Sequence, residues 1–162
     1  MHDPLFAPLK VRSLTLRNRL VMSPMTRNYS PDALPPEFAA EYYGRRADHD
    51  LGLVVTEGVA IDHPAAIGDS GAGGWDIPEL SGAAKPIWKQ VVDRVHAGGA
   101  AIFPQLWHQG GLRRDYSGRY PEARSPRPSG IWGPDEPGMF FKPEYRERYE
   151  PHTEPATDEE VA

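Results

Sequence analysis

Three stretches of the chain carry side chains able to do chemistry, and each follows an apolar run. Leu20-Val21-Met22-Ser23-Pro24-Met25-Thr26-Arg27 runs mostly apolar into a proline, then offers a flexible apolar surface at Met25 and a hydroxyl at Thr26. Leu51-Gly52-Leu53-Val54-Val55 leads to Thr56-Glu57-Gly58. Ala100-Ala101-Ile102-Phe103 leads to Pro104-Gln105-Leu106-Trp107-His108-Gln109-Gly110. Buried strand, abrupt stop, then polar groups is the pattern of a site at the carboxyl ends of parallel strands. Taken singly, each residue also has a plainer reading. Thr26 is a polar residue at a strand end, Gln105 a loop hydrogen-bonder, and His108 a packing or capping histidine. His63 and His96 read as surface or helix-end residues. With Asp62 they make no metal-ligand spacing, so no metal site is expected.

The elements that must position these groups follow from periodicity. Leu9 to Leu16 alternates with a period of two, predicting a short hairpin with its turn near Ser13. In a barrel, such a piece would plug the amino-terminal end. Leu20 to Met25 is the first strand, stopping at Pro24 because proline cannot donate to a ladder. Pro35-Pro36-Glu37 opens a helix that runs to about His49, with proline in its first turn and a carboxylate near the positive end of its dipole. Leu51 to Val55 is the second strand, nearly all apolar as both-face burial requires. A long loop through Asp62-His63-Pro64 and Gly71-Ala72-Gly73-Gly74 comes next. Ala84 to His96 is the clearest helix, with Ile87, Val91, Val92 and Val95 at helical spacing and Gly98-Gly99 after it. Ala100 to Phe103 is the third strand. This alternation implies right-handed crossovers and a parallel sheet.

Composition narrows the function. A chain of 162 residues can bury a core, and its 18 prolines, about twice the usual share, gather after Pro121. A net charge of −5 gives no general attraction to nucleic acid or membrane surface. The absence of cysteine removes disulfides, thiolate zinc sites and cysteine nucleophiles. No apolar run approaches the roughly 18–20 residues of a membrane span, and Met1-His2-Asp3-Pro4 starts no signal peptide, so a cytoplasmic location is expected. From Gly111 to Pro155 periodicity disappears among prolines, glycines and aromatics. A connection of this length is usually a lid or disordered, and the aromatics favour the lid. Thr157 with Glu160 three residues later is a capping box. Only two residues follow it, so the chain is expected to be part of something longer.

Pro24-Met25-Thr26, Glu57-Gly58 and Gln105-Leu106-Trp107-His108, with Leu5-Phe6-Ala7-Pro8-Leu9 and Leu16-Arg17-Asn18-Arg19 ahead of them, closely resemble the Old Yellow Enzyme family. These are flavin-dependent ene reductases and NADH:flavin oxidoreductases on a TIM (β/α)₈ barrel. The match is strong over residues 5 to 110 and looser around Ser125-Pro126-Arg127-Pro128-Ser129. Thr157 to Ala162 looks like the opening of the family's third barrel helix. The resemblance implies an α/β fold holding the amino-terminal hairpin, the first three strands of the barrel and the long loop after strand 3. Residues 1–162 would be the amino-terminal part of a flavin-binding barrel, with 111–156 as a proline- and aromatic-rich lid.

What the resemblance implies for chemistry is specific. FMN would be the cofactor, NADH or NADPH the electron donor, and an activated alkene such as an enone the substrate. Backbone amides near Pro24, Met25 and Thr26 would face flavin N5 and O4, and the Thr26 hydroxyl would bond O4 and tune the potential. Backbone around Gly58 would meet the pyrimidine side, close approach being open to a residue without a side chain. Gln105, donating and accepting together, would orient O2 and N3–H. Trp107 and His108 would border the substrate, with Trp132 or Phe140 from the lid. Where many members place an arginine after the glycine, this chain has Gly111, and the nearest arginines are Arg113 and Arg114. The family's substrate-oxygen ligands, its proton-donating tyrosine and its phosphate loop fall beyond Ala162. The remaining part of the barrel, or a partner chain, is therefore expected for activity. Two rivals stand beside this reading: a non-catalytic truncated fragment, and an aldolase-like phosphate-ligand barrel. The latter would want a lysine or carboxylate pair at the strand ends, where only Glu57 is available.

Overall fold

The computed structural model describes residues 3–68, 75–113, 118–131, 143–146 and 150–161. Leu9–Val11 (β1) folds back on Leu14–Leu16 (β2), pairing Leu9 with Leu16 and Val11 with Leu14. Arg12, at φ 54°, makes the reversal next to Ser13. The chain after the hairpin is tied under the main sheet. Arg17 Nε donates to Leu51 O at 3.1 Å, and the Arg17 guanidinium also bonds Ala47 O. Asn18 donates to Asp50 O and accepts from Leu20 N–H. The hairpin thus sits at the amino-terminal end of the strands, where a plug belongs.

Val21–Met22 (β3), Leu53–Ala60 (β4) and Ala101–Trp107 (β5) form a parallel sheet in that order. Ala39–Asp48 (α1) and Ala84–Ala97 (α2) are the two crossovers. The order and handed alternation are those of a partial (β/α)₈ barrel, as expected from sequence.

The element ends differ from expectation, each for a local reason. β3 is shorter than Leu20 to Met25. Leu20 O accepts from Gly52 and Leu53, and the chain leaves the ladder after Met22, before Pro24. The first helix begins at Ala39, not Pro35, because Pro36 drives the residue before it away from helical backbone. β4 does not end at Thr56-Glu57-Gly58 but runs on to Ala60. A bulge between Val55 and Gly58 turns Thr56 and Glu57 out of register, after which buried Val59 and Ala60 resume pairing. β5 passes through Pro104 to Trp107. Gln105 N–H points toward β4, so the missing donor of Pro104 falls on the open edge, where it costs nothing.

The core lies between the sheet and the two helices. Met22, Val54 and Val59 from the strands meet Ala39, Tyr43 and Ala47 of α1 and Trp88, Val91 and Val95 of α2. Trp88 occupies the core position expected of Ile87, and its indole N–H donates to Glu79 O at 2.8 Å. Close helix packing needs Gly44. A β-carbon there would stand 2.6 Å from Arg94, whose guanidinium crosses α1 to bond both Asp48 oxygens.

Two four-residue helices, Pro143–Arg146 (α3) and Asp158–Val161 (α4), complete the described elements. The capping box forms in both directions: Glu160 N–H donates to Thr157 Oγ1 at 3.2 Å, and Thr157 N–H to Glu160 Oε2 at 2.8 Å. These bonds hold the Glu160 carboxyl below the usual carboxylate range. No helix among the described residues is long and apolar enough to cross a membrane. Trp132 and Phe140 lie outside the described residues.

Candidate functional site

The bulge in β4 links the three stretches. It leaves Glu57 beside Gly58 with its carboxylate turned toward the chain that follows β3. Arg27 pairs with Glu57 Oε1, and Arg27 N–H donates to Glu57 Oε2 at 3.4 Å. Gly58 in turn stands in register with Gln105 of β5. Thr26, one residue before Arg27, and Gly58, one residue after Glu57, are therefore drawn to the same end of the sheet as Gln105.

The Arg27–Glu57 pair is buried on both sides, with side chains 11% and 1% exposed. Tyr43 of α1 completes it. Its hydroxyl accepts Glu57 N–H at 2.9 Å and donates to Glu57 Oε1 at 3.5 Å. Burial is the main cause of the Tyr43 phenol being pushed up to about 12. The guanidinium of Arg27 lies over the Tyr42 ring at 4.0 Å, with Tyr43 at 5.2 Å and Phe38 at 5.6 Å. A cation above aromatic faces and against a carboxylate is strongly fixed.

The polar groups singled out from sequence are not consumed by this network. Among the described residues, neither the Thr26 hydroxyl nor the Gln105 carboxamide makes a hydrogen bond. Only the Gln105 backbone N–H is used, donating to Thr56 Oγ1 at 3.3 Å. Thr26 is half-buried, while Pro24, Met25 and Gln105 are exposed. Such a donor and acceptor set, beside the apolar Met25, fits the polar edge of a flat heterocycle. Gly58 departs from expectation. A β-carbon there would run into the Trp107 ring, so the space it leaves is filled by that indole.

His108 is engaged by the protein. Its Nε2 lies 3.1 Å from His63 Nδ1, and its Nδ1 accepts Gly110 N–H at 2.9 Å. Burial, then His63, then Arg113 hold its imidazole below the ordinary histidine value. His63 is exposed, as expected, but paired. His96 is an exposed helix-end residue.

Two organising residues escaped the sequence reading. Gln109 sews the loop after β5 to the loop after β4, accepting from Trp75 N–H at 3.1 Å and donating to Trp75 O at 2.6 Å. Arg113 is fully buried and donates to Ile67 O, Ala123 O, Ser125 Oγ and Tyr120 O. It lies in the aperiodic stretch, where no pattern marks it. Glu57 did carry a signal, since a carboxylate inside an apolar strand needs a cation, and Arg27 follows Thr26. Among the described residues no three or more His, Asp or Glu side chains gather to hold a metal ion.

Comparison with known proteins identifies the family and the fold. Residues 4–149 match the NADH:flavin oxidoreductase / NADH oxidase family. The chain is 39% identical over 107 residues to 12-oxophytodienoate reductase 7 of Oryza sativa subsp. japonica, covering 66% of this chain and 26% of that protein. It is also 39% identical over 108 residues to the Claviceps fusiformis protein named "Probable inactive dehydrogenase easA", covering 65% and 27%. Among solved structures, morphinone reductase in complex with tetrahydroNAD superposes with a TM-score of 0.66 at 34% identity, over 80% of this chain and 34% of that one. The Old Yellow Enzyme homologue from Zymomonas mobilis superposes with a TM-score of 0.69 at 26% identity, over 95% and 39%. The chain thus spans about a quarter of the curated relatives' length and somewhat over a third of the solved ones. With the match over residues 4–149 and the superposition on solved members, the chain belongs to the NADH:flavin oxidoreductase / NADH oxidase family, the family of Old Yellow Enzyme.

Proposed function

We propose that this chain supplies the flavin-cradling strand ends of an FMN-dependent oxidoreductase that carries hydride from NADH or NADPH to an activated alkene. The observation supporting this is the meeting of Thr26, Gly58 and Gln105 at one end of the sheet, with the Thr26 hydroxyl and the Gln105 amide unspent. When bound, FMN would supply the two-electron redox chemistry.

The chain's own residues bind and orient. Thr26 would hold the ring's O4 and favour the charge of the reduced form. Gln105, able to donate and accept together, would hold the O2 and N3–H pair. Backbone at Pro24, Met25 and Gly58 would help hold the ring, with the Met25 side chain as an apolar contact. Trp107, packed on Gly58, walls the substrate side. His108 serves the loop, since both its nitrogens are engaged by the protein. The segment 111–156 acts as the lid, its near end held by Arg113. Substrate-oxygen polarisation and proton delivery fall to parts of the barrel that this chain does not span.

The test is co-expression of this chain with a chain carrying the remaining barrel of a relative, followed by the visible flavin spectrum and enone reduction with NADPH. Reconstituted protein is expected to be yellow and active, with Thr26→Val shifting the flavin potential and Gln105→Leu weakening FMN retention. A folded assembly that takes no FMN, or variants that change neither quantity, would overturn the assignment and leave the non-catalytic reading.

A further inference from the structure

The loops after β4 and β5 are stitched together over several residues. Gln109 N–H donates to Ala66 O at 3.2 Å, the Gln109 side chain bonds Trp75, and Arg113 Nε donates to Ile67 O at 3.0 Å. One stitch in this seam can titrate: the contact of His108 Nε2 with His63 Nδ1 at 3.1 Å.

Neighbouring backbone amides fix both tautomers. Ala65 N–H donates to His63 Nδ1 at 3.1 Å, and Gly110 N–H donates to His108 Nδ1 at 2.9 Å. A backbone N–H can only donate, so both Nδ1 atoms are acceptors and each neutral ring carries its proton on Nε2. His108 Nε2–H is then the donor to His63 Nδ1, sharing that atom's single lone pair with Ala65 N–H. Every nitrogen on which this pair could take a proton already accepts from an N–H. A proton on His63 would face both Ala65 N–H and His108 Nε2–H, and one on His108 would face Gly110 N–H. The same tautomers argue against a metal, because His108 Nε2 would have to give up its proton while Nδ1 remains committed to Gly110.

We propose that His63 and His108 form a proton-released latch between the loops that follow β4 and β5, closed while both rings are neutral and opened when either is protonated. The surroundings set its sense. Burial first, then His63 and Arg113, favour neutral His108 in the closed state. Glu160 of α4 lines the same hollow of about 480 Å³. Asp62 lies beside His63, and Glu79, Arg119 and Tyr120 line the hollow next to it. Because His108 is held below its ordinary value, the opened loop binds protons that the closed one does not. Closure is therefore complete above the ordinary histidine range and is lost as pH falls through the lowered value. Opening releases the His63–His108 contact, while the Gln109 and Arg113 bonds across the seam remain. The inference is independent of the flavin assignment.

The test is imidazole nitrogen NMR on the full chain across the acid range, with amide exchange at Ala65 and Gly110 corrected for intrinsic rate. Both rings are expected as the Nε2–H tautomer at neutral pH. His108 should titrate below the ordinary histidine value, and both amides should lose about tenfold of their protection over the same range, as expected for one released hydrogen bond. A double variant His63→Asn/His108→Asn keeps an acceptor at each Nδ1 position but cannot titrate, and should abolish that step. An Nδ1–H tautomer on either ring, a His108 midpoint at or above the ordinary histidine value, or an exchange step surviving in the double variant would overturn the latch.

Discussion

Replacing Arg27 with methionine tests whether the strand ends are held together as described. Methionine keeps an unbranched apolar side chain of similar reach and removes the guanidinium that lies over Tyr42. The Glu57 carboxylate, 1% exposed, would then keep only the backbone N–H of residue 27 at 3.4 Å and the Tyr43 hydroxyl at 3.5 Å. Breaking a buried ion pair from one side costs about 3–5 kcal/mol, and the lost cation–π contact adds about 0.5–1 kcal/mol. Against a total stability of about 5–15 kcal/mol, such a loss lowers the urea midpoint steeply. Glu57→Gln should cost less, because the amide keeps the shape and the Arg27 charge retains the Tyr42 face. The double variant should then recover part of the loss, since no buried charge is left alone. The assay is urea unfolding of all four proteins by circular dichroism, at equal slope, read as a double-mutant cycle. A cost below about 1 kcal/mol for Arg27→Met, with strictly additive effects, would mean that the pair is solvated and anchors nothing.

The remaining expectations are narrower. Tyr43, raised to about 12 in the fold, keeps its proton where an unfolded tyrosine loses it, so stability should fall as pH rises from about 10 to 12. Tyr43→Phe should remove that slope while exposing the unmet Glu57 N–H as a loss of about 1–3 kcal/mol at neutral pH. Gly58→Ala should displace the Trp107 indole, costing about 1–3 kcal/mol and changing tryptophan fluorescence. An unchanged spectrum and midpoint would show that Trp107 does not rest on Gly58.

Legibility in the sequence followed the range of the forces involved. The order of strands and crossover helices was readable because apolar spacing reports burial locally, as at Val91 and Val95 or Leu53 to Val55. The ends of β4 and β5 were not. Polar Thr56 and Glu57 look like a stop, yet the bulge lets pairing resume at Gly58, and Pro104 looks like a breaker until its donor position is seen to face an open edge. Thr26 and Gln105 were found as types at strand ends. Arg113 and the His63–His108 contact were not, since each depends on partners 7 to 46 residues distant that no local periodicity marks.

The fate of Glu57 also decides between kinds of chemistry. It is the one carboxylate in the three stretches that a lysine- or acid-dependent barrel enzyme would need, and it is committed to Arg27 and Tyr43 away from solvent. The remaining side chains at this end of the sheet, Thr26 and Gln105, do not titrate in the working range, and His108 has both nitrogens engaged. These are groups for holding a ligand in register and biasing its charge. Such a set suits a site in which the bound group supplies the reactivity, whereas an aldolase-like reaction would have to draw its acid and nucleophile from elsewhere.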